Sequence, residues 1–433
     1  MPLQRWQLRT AAGLFVGYSA YYLCRSNLAV AAPLLIREFG SRGLDKEVMG
    51  EIASLGVLCY AAGKVVNGAL GDLIGGKRIF LLGMVGAVVA TVVFELGQGV
   101  AVFFGAWAVN RLMQAMGWAG LVNITANWFS YRSYGKIMGL LSLSYLVGDI
   151  VAKLALGQLL TLGVGWRGLF GAAAGTLALV ALATWLTLAP TPASVGLPDP
   201  PTNPDSLFKD ETKAQQTTVL LGTYFRSPAF LLMLGLSFGL TALKEALSFW
   251  IPTYLVEAAH LSESAASQYS ALYAVFGIAS TLGAGYLSDA WLRGQRGPLL
   301  LLASLGLVPA LWLMAQPATG LLLPLVLTSL AGLLLLGPYS FLAGAMSLDL
   351  GGRQGAATAA GLIDAVGYAG STGALWLTGR LAERQGWGAA FLALAGLAAA
   401  TAVAALVFYY TQERRPRQAA AREALAAVPA VNL

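Results

Sequence analysis

The chain is poor in the residues that hold metals and carry acid–base chemistry: its 433 residues include one histidine, His260, and two cysteines, Cys24 and Cys59. A structural zinc site needs four such ligands, and a hydrolytic triad needs a histidine beside its nucleophile, so both lack their parts. Each cysteine falls inside an apolar run, and the two define no disulfide framework. Charge is scarce too, at 11% of residues, about half the share of a soluble domain. What fills the chain is apolar: 57% of residues are hydrophobic, with a mean hydropathy of +0.69. No nucleophile–base pair or metal cluster stands out, so an enzyme reading is set aside and no cofactor is implied. No cleavable leader is recognisable, since Arg5 and Arg9 run directly into a full-length apolar stretch.

Apolar runs long enough to cross a bilayer recur from end to end. They predict spans over 9–37, 47–71, 78–97, 101–129, 136–161, 167–189, 227–256, 264–288, 298–315, 319–347, 354–381 and 386–411. The expected fold is an all-α membrane protein, twelve transmembrane helices in two pseudo-symmetric six-helix halves. The halves would be 1–189 and 227–411, joined by a linker, 190–226, and followed by a tail, 412–433. The linker carries Pro192, Pro198, Pro200, Pro201 and Pro204, too many to bury. The formal net charge of +7 does not signal nucleic acid, because the basic residues sit at span ends and within spans. Arg5, Arg9, Lys77, Arg78, Arg132, Lys136, Arg293, Arg296, Arg353 and the tail share one side. The positive-inside rule makes that side, with both termini, cytoplasmic.

The halves repeat. Asp72 and Asp289 are 217 residues apart, Gly157-Gln158-Leu159 and Gly379-Arg380-Leu381 are 222 apart, and Trp166 and Trp387 are 221 apart. With an even number of spans per half, such repeats are related by an axis along the membrane normal, and the binding site lies between them near mid-membrane.

Eight ionisable side chains fall well within the spans, away from their ends: Arg25, Lys64, Arg111, Lys153, Lys244, Asp149, Glu245 and Asp364. Each costs about 2.5–3.5 kcal/mol at the centre of an isolated helix, so each needs a partner or a wet cavity. Arg25 shares a helical stripe with Tyr18, Tyr21 and Tyr22, and adding 219 to its number lands on Lys244. If each acid neutralises one base, two positive charges remain, a surplus that suits a dianion such as phosphate or a phosphate ester. Plainer readings stand beside this one. Asp149 and Lys153, four apart, could be a local helix pair. Arg111 could bond backbone carbonyls. Glu245 points about 100° from Lys244 and so faces another helix. Asp364 has no base on its own helix, and Lys244 is the preferred partner. Asp72, with Lys77 and Arg78, and Asp289, with Arg293, could lock one conformer as a gate.

The Asp72 loop resembles the signature of the major facilitator superfamily. Tyr21-Tyr22-Leu23-Cys24-Arg25-Ser26-Asn27 resembles the first-helix motif of its organophosphate:phosphate antiporters. Met116-Gly117-Trp118, Asn127-Trp128-Phe129, Gly285-Tyr286-Leu287-Ser288-Asp289 and Gly337-Pro338 extend the match. The resemblance implies a cell-inner-membrane carrier, working as a monomer by rocker-switch alternating access. It would exchange a glycerol-phosphate or sugar-phosphate class ester for inorganic phosphate. It implies phosphate binding by Arg25 and Lys244, with Lys64, Tyr60 and Tyr368 nearby and Tyr18, Tyr21, Tyr22 and Trp118 around them. Some positions depart from the pattern. Tyr145 stands where the glycerol-phosphate members have a histidine, Asp149, Glu245 and Asp364 are added acids, and Arg111 resembles an arginine of proton-coupled relatives. These departures leave proton-coupled symport of an organic anion, a carboxylate or phosphonate, as the alternative. A sensor on the same fold is a third class, disfavoured because no soluble domain is appended.

Overall fold

The computed structural model describes residues 2–198, 200, 224–292, 294–317, 320–342 and 346–414; for residues 2, 65, 68, 69, 71, 72, 131–136, 289 and 348–358 only the backbone is described. Most of the linker, the tail beyond Arg414, and Arg293 therefore lie outside the described residues. All regular structure among the described residues is helical. Span 1 is α1 (Pro2–Tyr21) and α2 (Leu23–Phe39). Spans 2 to 4 are α3 (Lys46–Ile74), α4 (Gly76–Glu95) and α5 (Val100–Trp128). Span 5 is α6 (Tyr131–Ser142) and α7 (Ser144–Thr161), and span 6 is α8 (Trp166–Thr187). Spans 7 to 12 are α9 (Pro228–Glu257), α10 (Glu263–Ala290), α11 (Gly297–Met314), α12 (Leu322–Phe341), α13 (Ser347–Arg384) and α14 (Trp387–Phe408).

Local chemistry sets the boundaries. Ser227 and Ser262 cap α9 and α10 by accepting from the backbone N–H three residues on, and Pro228 takes the first turn of α9, where its missing N–H costs nothing. Gly163 and Gly386 close spans 5 and 11 with φ of +79° and +83°, which only glycine adopts without strain. Two expectations change in detail. Span 11 is longer than the predicted 354–381. Spans 1 and 5 are each broken once, at Tyr22 and Leu143, where hydrogen bonds tighten to Arg25 N–Tyr22 O and Leu146 N–Leu143 O, both 3.1 Å.

Among the described residues, eight helices are long and apolar enough by themselves to cross a membrane.

The packing has the predicted two-fold pseudo-symmetry. Span 2 packs on 4 as 8 packs on 10; span 1 on 5 as 7 on 11; span 3 on 6 as 9 on 12. Between the halves, span 2 meets 11, span 5 meets 8, and span 1 meets 7. Spans 1 and 5 approach closely because Gly148 has no side chain: a Cβ there would lie 2.9 Å from Ser19 Cα and 2.6 Å from its carbonyl oxygen. Ser19 Oγ donates to the Ser144 carbonyl at the break in span 5, 2.9 Å away. We expect Gly148→Ala to lower the thermal midpoint of the detergent-solubilised protein by several degrees. Gly175→Ala, where a Cβ meets nothing within 4 Å, should leave the midpoint unchanged or raise it.

Candidate functional site

Between the halves lies a cavity lined by Tyr22, Arg25, Arg111, Tyr145, Asp149, Lys153, Lys244, Glu245 and Tyr273 among others. Arg25 enters from span 1, Arg111 from span 4, the Asp149–Lys153 pair from span 5, and Lys244 with Glu245 from span 7. All four elements also contribute apolar wall, so the charges sit in a low-dielectric surround where they interact strongly.

The ion pairs divide the eight charges into three groups. Lys64 Nζ donates to Asp364 Oδ2 at 2.7 Å, tying span 2 to span 11. Lys153 Nζ lies 2.8 Å from Asp149 Oδ2 one turn away, and Ser26 Oγ donates to Asp149 Oδ1 at 2.6 Å. Glu245 Oε1 accepts from Lys244 at 2.8 Å, and the same oxygen lies 3.7 Å from Arg25 Nη2 across the half boundary. The first two groups are neutral. In the third, Arg25, Lys244 and Arg111 face a single carboxylate, which leaves two positive charges. Among the described residues Arg111 forms no ion pair within 4 Å, and its guanidinium donates to Gln114 Oε1 at 3.5 Å. Its guanidinium and that of Arg25 both lie against the Tyr60 ring, 4.9 and 4.6 Å from the centroid. The electron-rich ring face partly screens two cations that would otherwise repel.

Several sequence expectations are corrected. Asp364 pairs with Lys64, not Lys244, because α3 packs on α13 and brings the shorter path. Glu245 does not face another helix alone; its flexible side chain folds back onto Lys244 and bridges to Arg25. Arg111 does not bond backbone carbonyls. Tyr21 does not face the cavity: its hydroxyl donates to the Phe80 carbonyl at 2.6 Å, inside the first half. Tyr18 packs edge-on against Trp118 and Tyr22, behind the wall. Tyr22 and Tyr145 remain on the lining, 6.2 Å apart between ring centroids. Tyr60 and Tyr368 meet edge-on beside Lys64. The sequence reading missed Tyr339, whose ring lies 4.7 Å from Lys244 Nζ, and also missed Tyr273 and Ser26. Gly337-Pro338 beside Tyr339 was the available signal.

Of the predicted gate, Lys77 donates to the Trp185 carbonyl at 2.8 Å, within its own half, and Arg78 is exposed. The side chains of Asp72 and Asp289, and all of Arg293, lie outside the described residues. The face opposite the termini carries a set of ion pairs between the halves. There Lys46 pairs with Glu257 and Glu383, Glu47 with Arg380 and Arg384, and Arg37 with Glu263, every pair crossing between halves. The Thr161 and Ser264 hydroxyls add a 2.5 Å contact between spans 5 and 8.

Twelve helices in two related halves around a buried polar cavity define a membrane carrier. The Major Facilitator Superfamily model matches residues 14–375, and the chain belongs to that superfamily. The chain is 27% identical to a probable hexose phosphate transport protein of Chlamydia muridarum, with 93% of this chain and 90% of that one aligned. It is 28% identical to a glycerol-3-phosphate transporter of Bacillus subtilis, with 90% and 89% covered. It is 24% identical to the membrane sensor protein UhpC of Salmonella typhimurium, with 95% and 93% covered. Among solved structures, a bacterial homolog of the human lysosomal transporter Spinster superposes with a TM-score of 0.74 at 18% identity, covering 93% of this chain and 97% of that one. A peptide transporter superposes at 0.68 and 17%, covering 93% and 94%. At these identities the two structures speak to the fold alone.

The Lys64–Asp364 pair is partly accessible and joins the halves, so its two partners should be energetically coupled. Lys64→Gln and Asp364→Asn are each expected to lower the thermal midpoint, and the double variant to recover at least half of the summed loss. The corresponding coupling is about 0.5–3 kcal/mol. Strictly additive losses would deny the pair any coupling.

Proposed function

We propose that this chain is a secondary carrier that exchanges a small organophosphate, of the glycerol-phosphate or sugar-phosphate class, for inorganic phosphate. The observation that carries the reading is where the surplus charge resides. The two uncompensated positives are not spread over the spans; Arg25, Arg111 and Lys244 hold them around one cavity. Uncompensated charge at that depth is tolerable when a counter-ion visits, and a phosphate dianion matches it in sign and magnitude. Arginine offers a planar fork for two phosphate oxygens, and lysine a compact point charge. The hexose-phosphate and glycerol-3-phosphate names of the relatives point to the same ligand class.

The same charge count supports exchange over one-way passage. With a dianion bound, the cavity is neutral and the halves can rock past one another; empty, it retains two charges that would have to be drawn through a closed, dry state. The ion-pair lock opposite the termini supports a rocker switch, because opening that face must break pairs that closing remakes. Proton-coupled symport would require a carboxyl free to load and unload a proton. Asp149, Glu245 and Asp364 each have a lysine ammonium within 2.8 Å. The charge asymmetry of the loops favours termini and linker on the cytoplasmic side of a bacterial inner membrane, with halves bounded near 1–189 and 227–411.

In phosphate-loaded proteoliposomes, Arg25→Ala and Lys244→Ala should each abolish phosphate counterflow, with Arg25→Lys restoring only part of it. Wild-type exchange should persist when a protonophore collapses the proton gradient. Normal counterflow in either alanine variant would overturn the phosphate assignment, and collapse by protonophore would favour the symport reading.

A further inference from the structure

A chain of side-chain hydrogen bonds runs through the first half and ends beside the two arginines of the cavity. Thr91 Oγ1 donates to the Ala87 carbonyl at 2.7 Å, so the same oxygen accepts from Asn110 Nδ2 at 2.9 Å. Asn110 Nδ2 also donates to the Ala87 carbonyl, at 3.3 Å. With its nitrogen fixed in this way, Asn110 turns Oδ1 toward Gln114, which must present Nε2 to it. Gln114 Nε2 also donates to the Cys24 carbonyl on span 1, 2.9 Å away. Gln114 Oε1 is left for Arg111 Nη1, at 3.5 Å. Amide nitrogens donate and amide oxygens accept, so this order leaves neither side chain free to flip. Thr91, Asn110 and Gln114 are all buried.

We propose that Gln114 is a positioning residue for the anion site: its amide ties the peptide that leads into Arg25 to the turn that carries Arg111, and so holds the two guanidiniums as one clamp. This rests on the assignment of phosphate to Arg25, Arg111 and Lys244. Arg25 and Arg111 lie against one ring, Tyr60, at 4.6 and 4.9 Å from its centroid, and like charges this close repel in a low-dielectric surround. With no anion between them, that repulsion pushes spans 1 and 4 apart at this level. The bond from Gln114 to the Cys24 carbonyl opposes it and keeps the clamp assembled before a ligand arrives, which lowers the ordering cost of binding. Because the linking group is a neutral amide, it bonds Arg111 without cancelling its charge. A carboxylate in the same place would take up one of the two surplus positives. A glutamine that served only to satisfy the Cys24 carbonyl would not need Asn110 and Thr91 to fix which of its ends faces Arg111.

The test uses proteoliposomes of the full chain loaded with inorganic phosphate. Phosphate self-exchange is measured alone and against two inhibitors of fixed charge: sulfate, a dianion, and dimethyl phosphate, a monoanion. The wild type should prefer sulfate over dimethyl phosphate by about tenfold or more. Gln114→Leu removes the link and leaves the charges. It should raise the half-saturation for phosphate by about three- to tenfold, weaken both inhibitors alike, and leave the maximal rate near that of the wild type. Gln114→Glu keeps the shape but neutralises Arg111, so the preference for sulfate should itself fall, to within about threefold. If the leucine variant fails to fold, the nearly isosteric glutamate variant decides the outcome. A leucine variant with unaltered half-saturation, or a glutamate variant that keeps the wild-type preference for sulfate, would overturn this role while leaving phosphate exchange intact. Absence of phosphate self-exchange in the wild type would instead bring down the reading beneath it.

Discussion

Three cations held against one carboxylate in the middle of a membrane are the constraint from which the rest of this structure follows. Arg25, Arg111 and Lys244 cannot face lipid, so the helices that carry them must turn inward and face one another. Spans 1, 4, 5 and 7 bring their charges to one cavity between the halves, and their apolar faces are left for packing and lipid. The remaining intramembrane charges are placed so that they do not add to the surplus. Lys64 is matched by Asp364 across the half boundary, and Lys153 by Asp149 within one helix. Tyr60 moderates what is left by presenting its ring to both guanidiniums.

The two-fold symmetry is what the proposed rocker switch would use. Span 2 meets span 11 as span 8 meets span 5, so under that proposal a rotation of one half against the other would separate equivalent contacts at one face and close them at the opposite one. In the structure the charged contacts are made at the face opposite the termini, by Lys46, Glu47 and Arg37 with their partners. These pairs are partly solvated, so each is weak and screened by salt. That suits a contact that has to be broken and remade, whereas a strong buried pair would hold one conformer. Mid-membrane, Glu245 plays a related part. A single oxygen bridges Lys244 on one half and Arg25 on the other, and the anion of the proposed exchange would compete with it for both.

Much of this was legible in the amino-acid sequence, for physical reasons. Hydropathy marks spans because lipid exposure penalises polarity uniformly, and the internal repeat pairs Arg25 with Lys244 because both halves obey one geometry. The excess of two positive charges could be counted from eight residues. What could not be read was which acid neutralises which base. The preference for Asp364 with Lys244 failed because partner choice depends on which helices cross and on side-chain reach, and neither is written in span order. The face-closing lock was equally hidden: Lys46, Glu257 and Glu383 are far apart in the chain and look individually like ordinary loop charge. Tyr273 and Tyr339 were missed because an isolated tyrosine in an apolar helix carries no sign of whether it points to lipid, core or cavity.

The fate of Tyr21 shows how a local backbone feature decides the site. Regular helical spacing puts Tyr18, Tyr21 and Tyr22 on the stripe of Arg25, and all three should then line one wall. At Tyr22 the helix is locally overwound: its carbonyl accepts from Arg25 N at 3.1 Å as well as from Ser26 N at 2.8 Å. Tyr21 swings into the first half, where Phe80 accepts its hydroxyl, while Arg25, one turn beyond the break, is delivered to the cavity. Span 5 breaks at the matching depth, and Ser19 answers the Ser144 carbonyl at that level. One helix thus anchors itself in its own half through Tyr21 and presents its arginine to the other half.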